Sequence, residues 1–552
     1  MSDIPSGTSS ALSPVPSYAP SPAGSPRDAS DIASILNAPI SWMAAETDAA
    51  TRALLDDLQA NILKGHGRHH AGYVFLGFAG MDPGAVAALI RALGRSCTSA
   101  AQQLRANKRY PPHLDGGPVR CAFLSAGGFR ALGPHAELPD GTAFGAGMAS
   151  RTEVLNDPDR AQWDENGWRT GTVDAMVLLA DEDEASVARD VAALTDWLDD
   201  SGATVLFVER GMQQTRQFRP DAAAEGVEHF GYVDGRSQPL FLQEDLAREE
   251  AAVREEPAGR FDPEPPGKPW SPRFKPSQFI VADPNGGHPL SAGSYFVFRK
   301  LEQDVRGFNA AEDELGHALF GESATQDQLD RAGAMVVGRF EDGTPLTAFA
   351  EEGKRPVPNG FTYDADADGA RCPFHAHIRK TNPRGDVRRQ LSLDDPDDGA
   401  DRGPIMARRG ITYGPKRPMS ADGSEFADPG QEPEHGSGLL FMAYMADVEG
   451  QFEFTQQSWA DNPSFVGNIG PGASHPATGI DPVIGQLSRD SAAPESTTQD
   501  PAPERRHTWL DGHTKGARPI EHGFARFVHM KGGEYFFAPS LSFLRGVGAP
   551  VA

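Results

Sequence analysis

The chain has 552 residues, 39% of them hydrophobic and 23% charged, a balance that builds a large core in two to four domains or subdomains. Its 77 acidic residues against 51 basic ones give a formal net charge of -26. That charge repels nucleic acid and anionic membranes and excludes both as partners. No run reaches the ~18 apolar residues of a membrane span, and the first residues show no signal peptide. Three scattered cysteines, Cys97, Cys121 and Cys372, with no C-x-x-C, fit a reducing compartment, so the expected location is cytoplasmic.

In chain order, residues 1 to about 45 are rich in Ser, Pro, Ala and Gly and read as a disordered tail. Helical spacing starts at Leu54 and stops at Gly65. Tyr73–Phe78 reads as a strand, and Asp82–Leu93 as a helix with Asp82 capping and Pro83 at its first position. Strands at Val119–Leu124, Val173–Ala180 and Thr204–Glu209, with a short turn of helix at Phe129–Leu132 and a helix over Glu184–Leu198, complete a β-α-β-β-α-β order. That is a ferredoxin-like module. Ala247–Lys275 reads as a charged, proline-rich connector. A second module of the same logic starts with a strand from Gly293, then helices at Ala310–Leu319 and Gln326–Val337. Its later elements are strands at Gly410–Tyr413, Leu439–Ala446 and Glu534–Ala538 and a helix near Gly450–Ala460. Leu391–Arg402 and Ser488–Arg506 read as solvated inserts.

Between the modules lies His229-Phe-Gly-Tyr-Val-Asp-Gly-Arg-Ser-Gln-Pro239, which sets Asp234 between Gly231 and Gly235. Glycines there allow a tight turn and a close approach to a bulky neighbour. An acid displayed on such a turn is a candidate proton shuttle, although a lone Asp-Gly pair is more often a surface turn. Further on come Cys372-Pro-Phe-His-Ala-His-Ile-Arg-Lys-Thr-Asn-Pro-Arg384 and Met406-Ala-Arg-Arg-Gly-Ile-Thr-Tyr-Gly414. Acid, histidine and arginine in this order are what a haem peroxidase needs.

This constellation resembles the dye-decolourising peroxidase family, whose hallmark is G-x-x-D-G followed by a proximal histidine and a distal arginine. The resemblance covers roughly residues 55 to 545, through N-I-L-K-G-H-G-R, G-S-Y-F-V-F-R-K-L-E-Q-D-V, D-P-V-I-G-Q and G-G-E-Y-F-F-A-P-S in family order. Length and inserts point to its larger subgroup of fungal and some bacterial enzymes. It implies an α+β protein: two ferredoxin-like modules in a dimeric α+β barrel-type fold, with haem in the second. The expected divisions are a tail at 1–50, a first module at 51–225 and a haem-binding module at 226–552.

The resemblance also assigns roles. His377 matches the proximal iron ligand; His375 is the competing candidate, since two residues apart on an extended segment face the same side. A proximal histidine needs a carboxylate to orient it, and Asp447 and Glu449 are the candidates, although relatives place an acid slightly earlier, in line with Ala443. Asp234 is the expected proton shuttle, and Arg408 the distal arginine, with Arg409 its neighbour on the opposite strand face. Arg384 matches a contact to a haem propionate, and Arg299 and Arg236 are further cationic candidates. Phe296, Phe298, Phe536 and Phe537 are candidate apolar walls. Tyr413, Tyr444 and Trp459 are candidate electron relays for donors too large to reach the iron. The expected cofactor is one haem b per chain, with hydrogen peroxide as oxidant and an aromatic or dye-like donor, in a monomer or homodimer. The alternative is a haem-handling protein with little turnover; Asp234 and Arg408 together favour the enzyme.

Overall fold

The computed structural model describes residues 30–109, 116–220, 223–255, 270–354, 357–393, 399–421, 423, 425–428, 430–465, 477–486 and 506–549. The first half forms β1 (His70–Gly77), β2 (Val119–Ser125), β3 (Ala175–Asp181) and β4 (Thr204–Met212). They lie side by side in the order β2-β3-β1-β4, all antiparallel. Helices Pro83–Ser96 and Glu184–Asp199 connect them, each started by an aspartate that accepts a backbone N–H of the first turn, Asp82 from Ala85 and Asp183 from Ser186. The second half repeats the pattern with β5 (Ala292–Gln303), β6 (Ile411–Tyr413), β7 (Gly438–Met445) and β8 (Val528–Ala538) in the order β6-β7-β5-β8. Both halves are therefore ferredoxin-like and the protein is α+β.

The two sheets join into one. β8 pairs with β2, setting Phe536 opposite Ser125 and Phe537 opposite Leu124. At the other ends β4 meets β6, where the Thr412 hydroxyl donates to the Met212 carbonyl and accepts the Gln214 N–H at 3.2 Å. Gly211 makes this approach possible, because a Cβ there would lie 2.4 Å from Ile411 Cγ2. The closed sheet is filled by rings from both halves: Phe75 meets Phe207 at 4.6 Å, Trp168 at 4.9 Å and Phe298 at 5.0 Å, and Phe123 meets Phe296 at 4.6 Å.

Three readings of the sequence change. The segment taken as tail is ordered from Ser30, where helix Ser30–Leu36 begins. Ile32, Leu36 and Ile40 are buried, and the Ile40 N–H donates to the Phe241 carbonyl at 2.8 Å, so a few spaced apolar residues dock an otherwise polar stretch. Residues 1–29 lie outside the described residues. The connector begins within helix Gln243–Glu255. The acidic insert at Leu391–Arg402 contains a buried anchor: Asp401 accepts the N–H groups of Gly385, Val387 and Arg388, each at 3.0 Å. Of the second insert, all but Arg506 lies outside the described residues. Among the described residues no helix is long and apolar enough to cross a membrane, and all three cysteines are buried and free.

Candidate functional site

Side-chain parity on β5 separates two environments. Phe296 and Phe298 point into the ring-filled barrel, whereas Arg299, Leu301 and Gln303 face a large cavity on the other side of the sheet. The cavity holds about 1850 Å³ of empty space counting its open mouth.

One wall carries His377, at the start of the short helix His377–Thr381. Arg379 anchors that helix, clamped between Asp386 at 2.7 Å and Asp366 at 2.9 Å and sandwiched by Tyr363 and Phe374. The helix also separates the two histidines. His375 is fully buried against Trp509, 4.4 Å between ring centres, and does not line the cavity. His377 Nδ1 donates to Asp481 at 2.8 Å, leaving Nε2 available to the cavity. Asp481 is fully buried and also accepts the N–H groups of Val483 at 2.8 Å and Ile484 at 3.0 Å. Burial opposes its charge, but His377 and those N–H groups outweigh it and hold the carboxyl below its ordinary range.

Asp481 therefore stands where Asp447 or Glu449 was expected. Both of those are exposed, and Asp447 instead accepts the Glu449 N–H at the start of a π-helical segment, Val448–Glu453. That segment and its continuation, Thr455–Ala460, turn Phe452, Thr455 and Gln456 toward the cavity. The signal for Asp481 was in the sequence, as the first residue of D-P-V-I-G-Q, but 104 positions from His377.

The same cavity is lined by the acid loop. Gly231 and Gly235 have φ of +112° and +80°, and a Cβ at Gly231 would lie 2.5 Å from Glu341 Oε1. Asp234 is exposed and lines the cavity, and its Oδ1 accepts the Gly235 N–H at 2.6 Å. Arg408 lines the same cavity and donates to the Arg236 carbonyl at 2.9 Å, which ties it to the acid loop. It has no carboxylate partner among the described residues. Arg409 faces the other way and is spent on the carbonyls of Asn61 and Ile62, each at 2.8 Å.

Two further arginines form a cationic edge. Arg384 and Arg339 are buried, and both donate to Ser237 Oγ and Asn359 Oδ1. Neither has a carboxylate partner among the described residues. Burial pushes Arg339 down to about 9, with Arg384 adding to it, and Arg384 down to about 10. Ser237 (φ +63°) and Arg384 (φ +46°) hold left-handed backbone without being glycine, a strain that is kept by the surrounding bonds. Arg339 and Ser237 escaped the sequence reading. The other cationic candidates are already paired: Arg299 with Asp157 at 2.7 and 2.5 Å, and Arg236 with Glu225.

The aromatic candidates also move. Phe296, Phe298, Phe536 and Phe537 do not line the cavity: the first three fill the barrel, and Phe537, one residue on and facing the other way, packs on Tyr295 at 5.1 Å and Phe129 at 6.2 Å. Its apolar walls are Phe340, Ile405, Leu439, Phe441 and Phe452. Tyr413, Tyr444 and Trp459 are buried, at 7%, 0% and 2% exposure, so none presents a surface to a donor.

A cavity lined by apolar walls, a carboxylate-braced imidazole, an acid, an arginine and two further guanidiniums without carboxylate partners among the described residues has the parts a haem requires. No protein-family model matches the chain. It is 41% identical over 517 residues to "Multifunctional dye peroxidase DyP2" of Amycolatopsis sp. (strain ATCC 39116 / 75iv2), covering 93% of this chain and 99% of that one. The chain belongs to the dye-decolourising peroxidase family. It is also 30% identical to "Dye-decolorizing peroxidase msp1" of Mycetinis scorodonius, over 92% of this chain and 90% of that one. Among solved structures, that of DyP2 superposes with a TM-score of 0.76 at 38% identity, covering 93% and 99% of the two chains. The peroxidase of Anabaena sp., AnaPX, superposes with a TM-score of 0.75 at 34% identity, covering 92% and 97%.

Proposed function

We propose that this chain binds one haem b in the cavity and uses it to reduce hydrogen peroxide while oxidising bulky phenolic or dye-like donors. The observation that carries the reading is the hydrogen bond from His377 to the buried Asp481 in a cavity that also holds Asp234 and Arg408, neither with an ion-pair partner among the described residues. Names of relatives agree with it: several are dye peroxidases, and one structural neighbour was solved with 2,6-dimethoxyphenol. Bound haem supplies an iron that exchanges electrons between donor and peroxide.

The chain's own residues do the rest. Asp481 fixes the His377 tautomer and makes Nε2 a stronger donor toward iron. Arg339 and Arg384 would hold the haem carboxylates, which would supply the negative charge that their surroundings lack among the described residues. Asp234 Oδ2 takes the proton from one peroxide oxygen and returns it to the other, so the departing oxygen leaves as water. The Arg408 guanidinium stabilises the negative charge that grows as the O–O bond breaks. Because Tyr413, Tyr444 and Trp459 are buried, donors deliver electrons at the cavity mouth or through residues other than these. Three buried free cysteines support work in a reducing compartment such as the cytoplasm.

The test is haem titration followed by peroxide-driven oxidation of a phenolic donor, in wild type and His377→Ala. Tight binding and turnover in wild type, with both impaired in the variant, support the reading. Stable haem binding without turnover would make the protein a haem-handling one, and no binding at all would overturn both.

A further inference from the structure

The acid loop contains a second carboxylate that the proton transfer between peroxide oxygens leaves unused. Glu228 lines the same cavity as Asp234, where the loop leaves the short strand Glu225–Val227. The loop closes around it: its carboxylate accepts the N–H groups of Phe230 at 2.9 Å and Tyr232 at 3.0 Å, and the side-chain amide of Gln303. These donors are neutral, and no cation pairs with Glu228 among the described residues. Its charged neighbours are carboxylates. Asp234 lies on its own loop, and Glu312 of helix Val305–Phe320 stands behind Tyr232, whose hydroxyl donates to it at 2.5 Å. β5 contributes only the neutral Gln303. Burial pushes Glu228 up to about 7, with the charge of Asp234 adding to it. A carboxyl in that range gains and loses a proton readily at neutral pH.

The reaction needs such a group. Reducing hydrogen peroxide to two waters takes two electrons and two protons. Asp234 moves the peroxide's own proton from one oxygen to the other and so brings none in. A bulky phenol oxidised outside the cavity gives its electron to the site and its proton to solvent. Both net protons must therefore be carried inward over the two electron transfers. We propose that Glu228 carries them, taking a proton from solvent water and passing it to Asp234, through which it acts without touching the reacting oxygens. The proposal rests on the peroxidase reading above.

Glu228→Gln keeps the volume and removes the titrating group, while Glu228→Asp keeps the group. Stopped-flow absorption separates the reaction with peroxide, which nets no proton, from the two reductive steps with a phenolic donor, which together take up two. Glu228→Gln is expected to slow the reductive steps at least about tenfold, the low end for a lost acid–base group, and to change the peroxide step less than about threefold. It is also expected to flatten the pH dependence of the reductive steps near neutrality, and Glu228→Asp to restore it. A readout without turnover is the carbon-13 shift of the Glu228 carboxyl: Asp234→Asn is expected to lower its titration midpoint by removing the facing charge. Equal losses in both kinds of step, unrelieved by Glu228→Asp, would show that Glu228 only shapes the loop and overturn the proposal. A midpoint indifferent to Asp234→Asn would overturn it as well. A wild type that peroxide does not change would instead overturn the peroxidase reading.

Discussion

His377 and Asp481 show how much one buried carboxylate controls. Without its charge the imidazole keeps a hydrogen-bond acceptor but loses basicity, so Asp481→Asn is expected to raise the ferric/ferrous midpoint potential. Such outer partners are worth about 10–100-fold in metal affinity or activity. A potential unchanged from wild type would remove Asp481 from this role. At the cationic edge, Arg339→Met and Arg384→Met are each expected to weaken haem binding about tenfold or more, since a hydrogen bond to a charged group contributes about 1.5–3 kcal/mol. The same variants should bind haem dimethyl ester as wild type does, because the ester has no carboxylates to lose. Equal weakening for both ligands would mean the arginines only shape the wall. Residue by residue, the sequence was most legible where a motif is local. Asp234, His377, Arg384 and Arg408 all line the cavity. Asp481 and Arg339 were not legible because what joins them to the site is folding, not spacing.

Secondary-structure elements were readable from period and caps. The strands at Val119–Ser125 and Ala175–Asp181 and the helix at Glu184–Asp199 fall where alternation and capping place them. Parity within β5 was not readable, since a strand apolar on both faces gives no sign of which face is which. Phe298→Ala tests the corrected parity. It is expected to cost about 3–5 kcal/mol of stability as a core truncation while haem affinity stays unchanged. A loss of haem affinity at matched stability would return Phe298 to the cavity.

Elements far apart in sequence are clasped at Asp57, the last residue of helix Ala49–Asp57. It accepts from His288 at 3.1 Å, Ser291 at 2.6 Å and Ser542 at 2.8 Å. The Asp57 bond raises the His288 pKa, and against burial the same bonds hold Asp57 low. The histidine contribution is complete below its unfolded pKa of about 6.5 and is lost as pH rises through the higher folded value. The aspartate contribution is complete above about 3.9 and is lost as pH falls through the lower folded value. His288→Gln should therefore lower Tm most between those limits and make no difference at high pH, as thermal scans across pH would show. A deficit that stays constant from neutral to alkaline pH would contradict the clasp.

For the whole molecule, two like halves join into one barrel with the His377 cavity on the second half, and the sequence pattern alone suggested such a repeat. The net charge of -26 acts at this scale. It should favour cationic over anionic dyes of similar redox potential, by concentrating the former near the mouth. Raising salt shortens the Debye length to about 3 Å at 1 M and should raise KM for the cationic dye while lowering it for the anionic one. Salt-independent KM values for both would contradict it.

The site as a whole stands or falls on Asp234 as the group that moves the peroxide's proton. The direct measurement is stopped-flow absorption of the haem-loaded protein mixed with one equivalent of hydrogen peroxide, in wild type and Asp234→Asn. A rapid spectral change in wild type that slows about 10²–10⁴-fold in the variant is the expected result. Equal rates in the two proteins would contradict it and place the proton transfer elsewhere in the cavity.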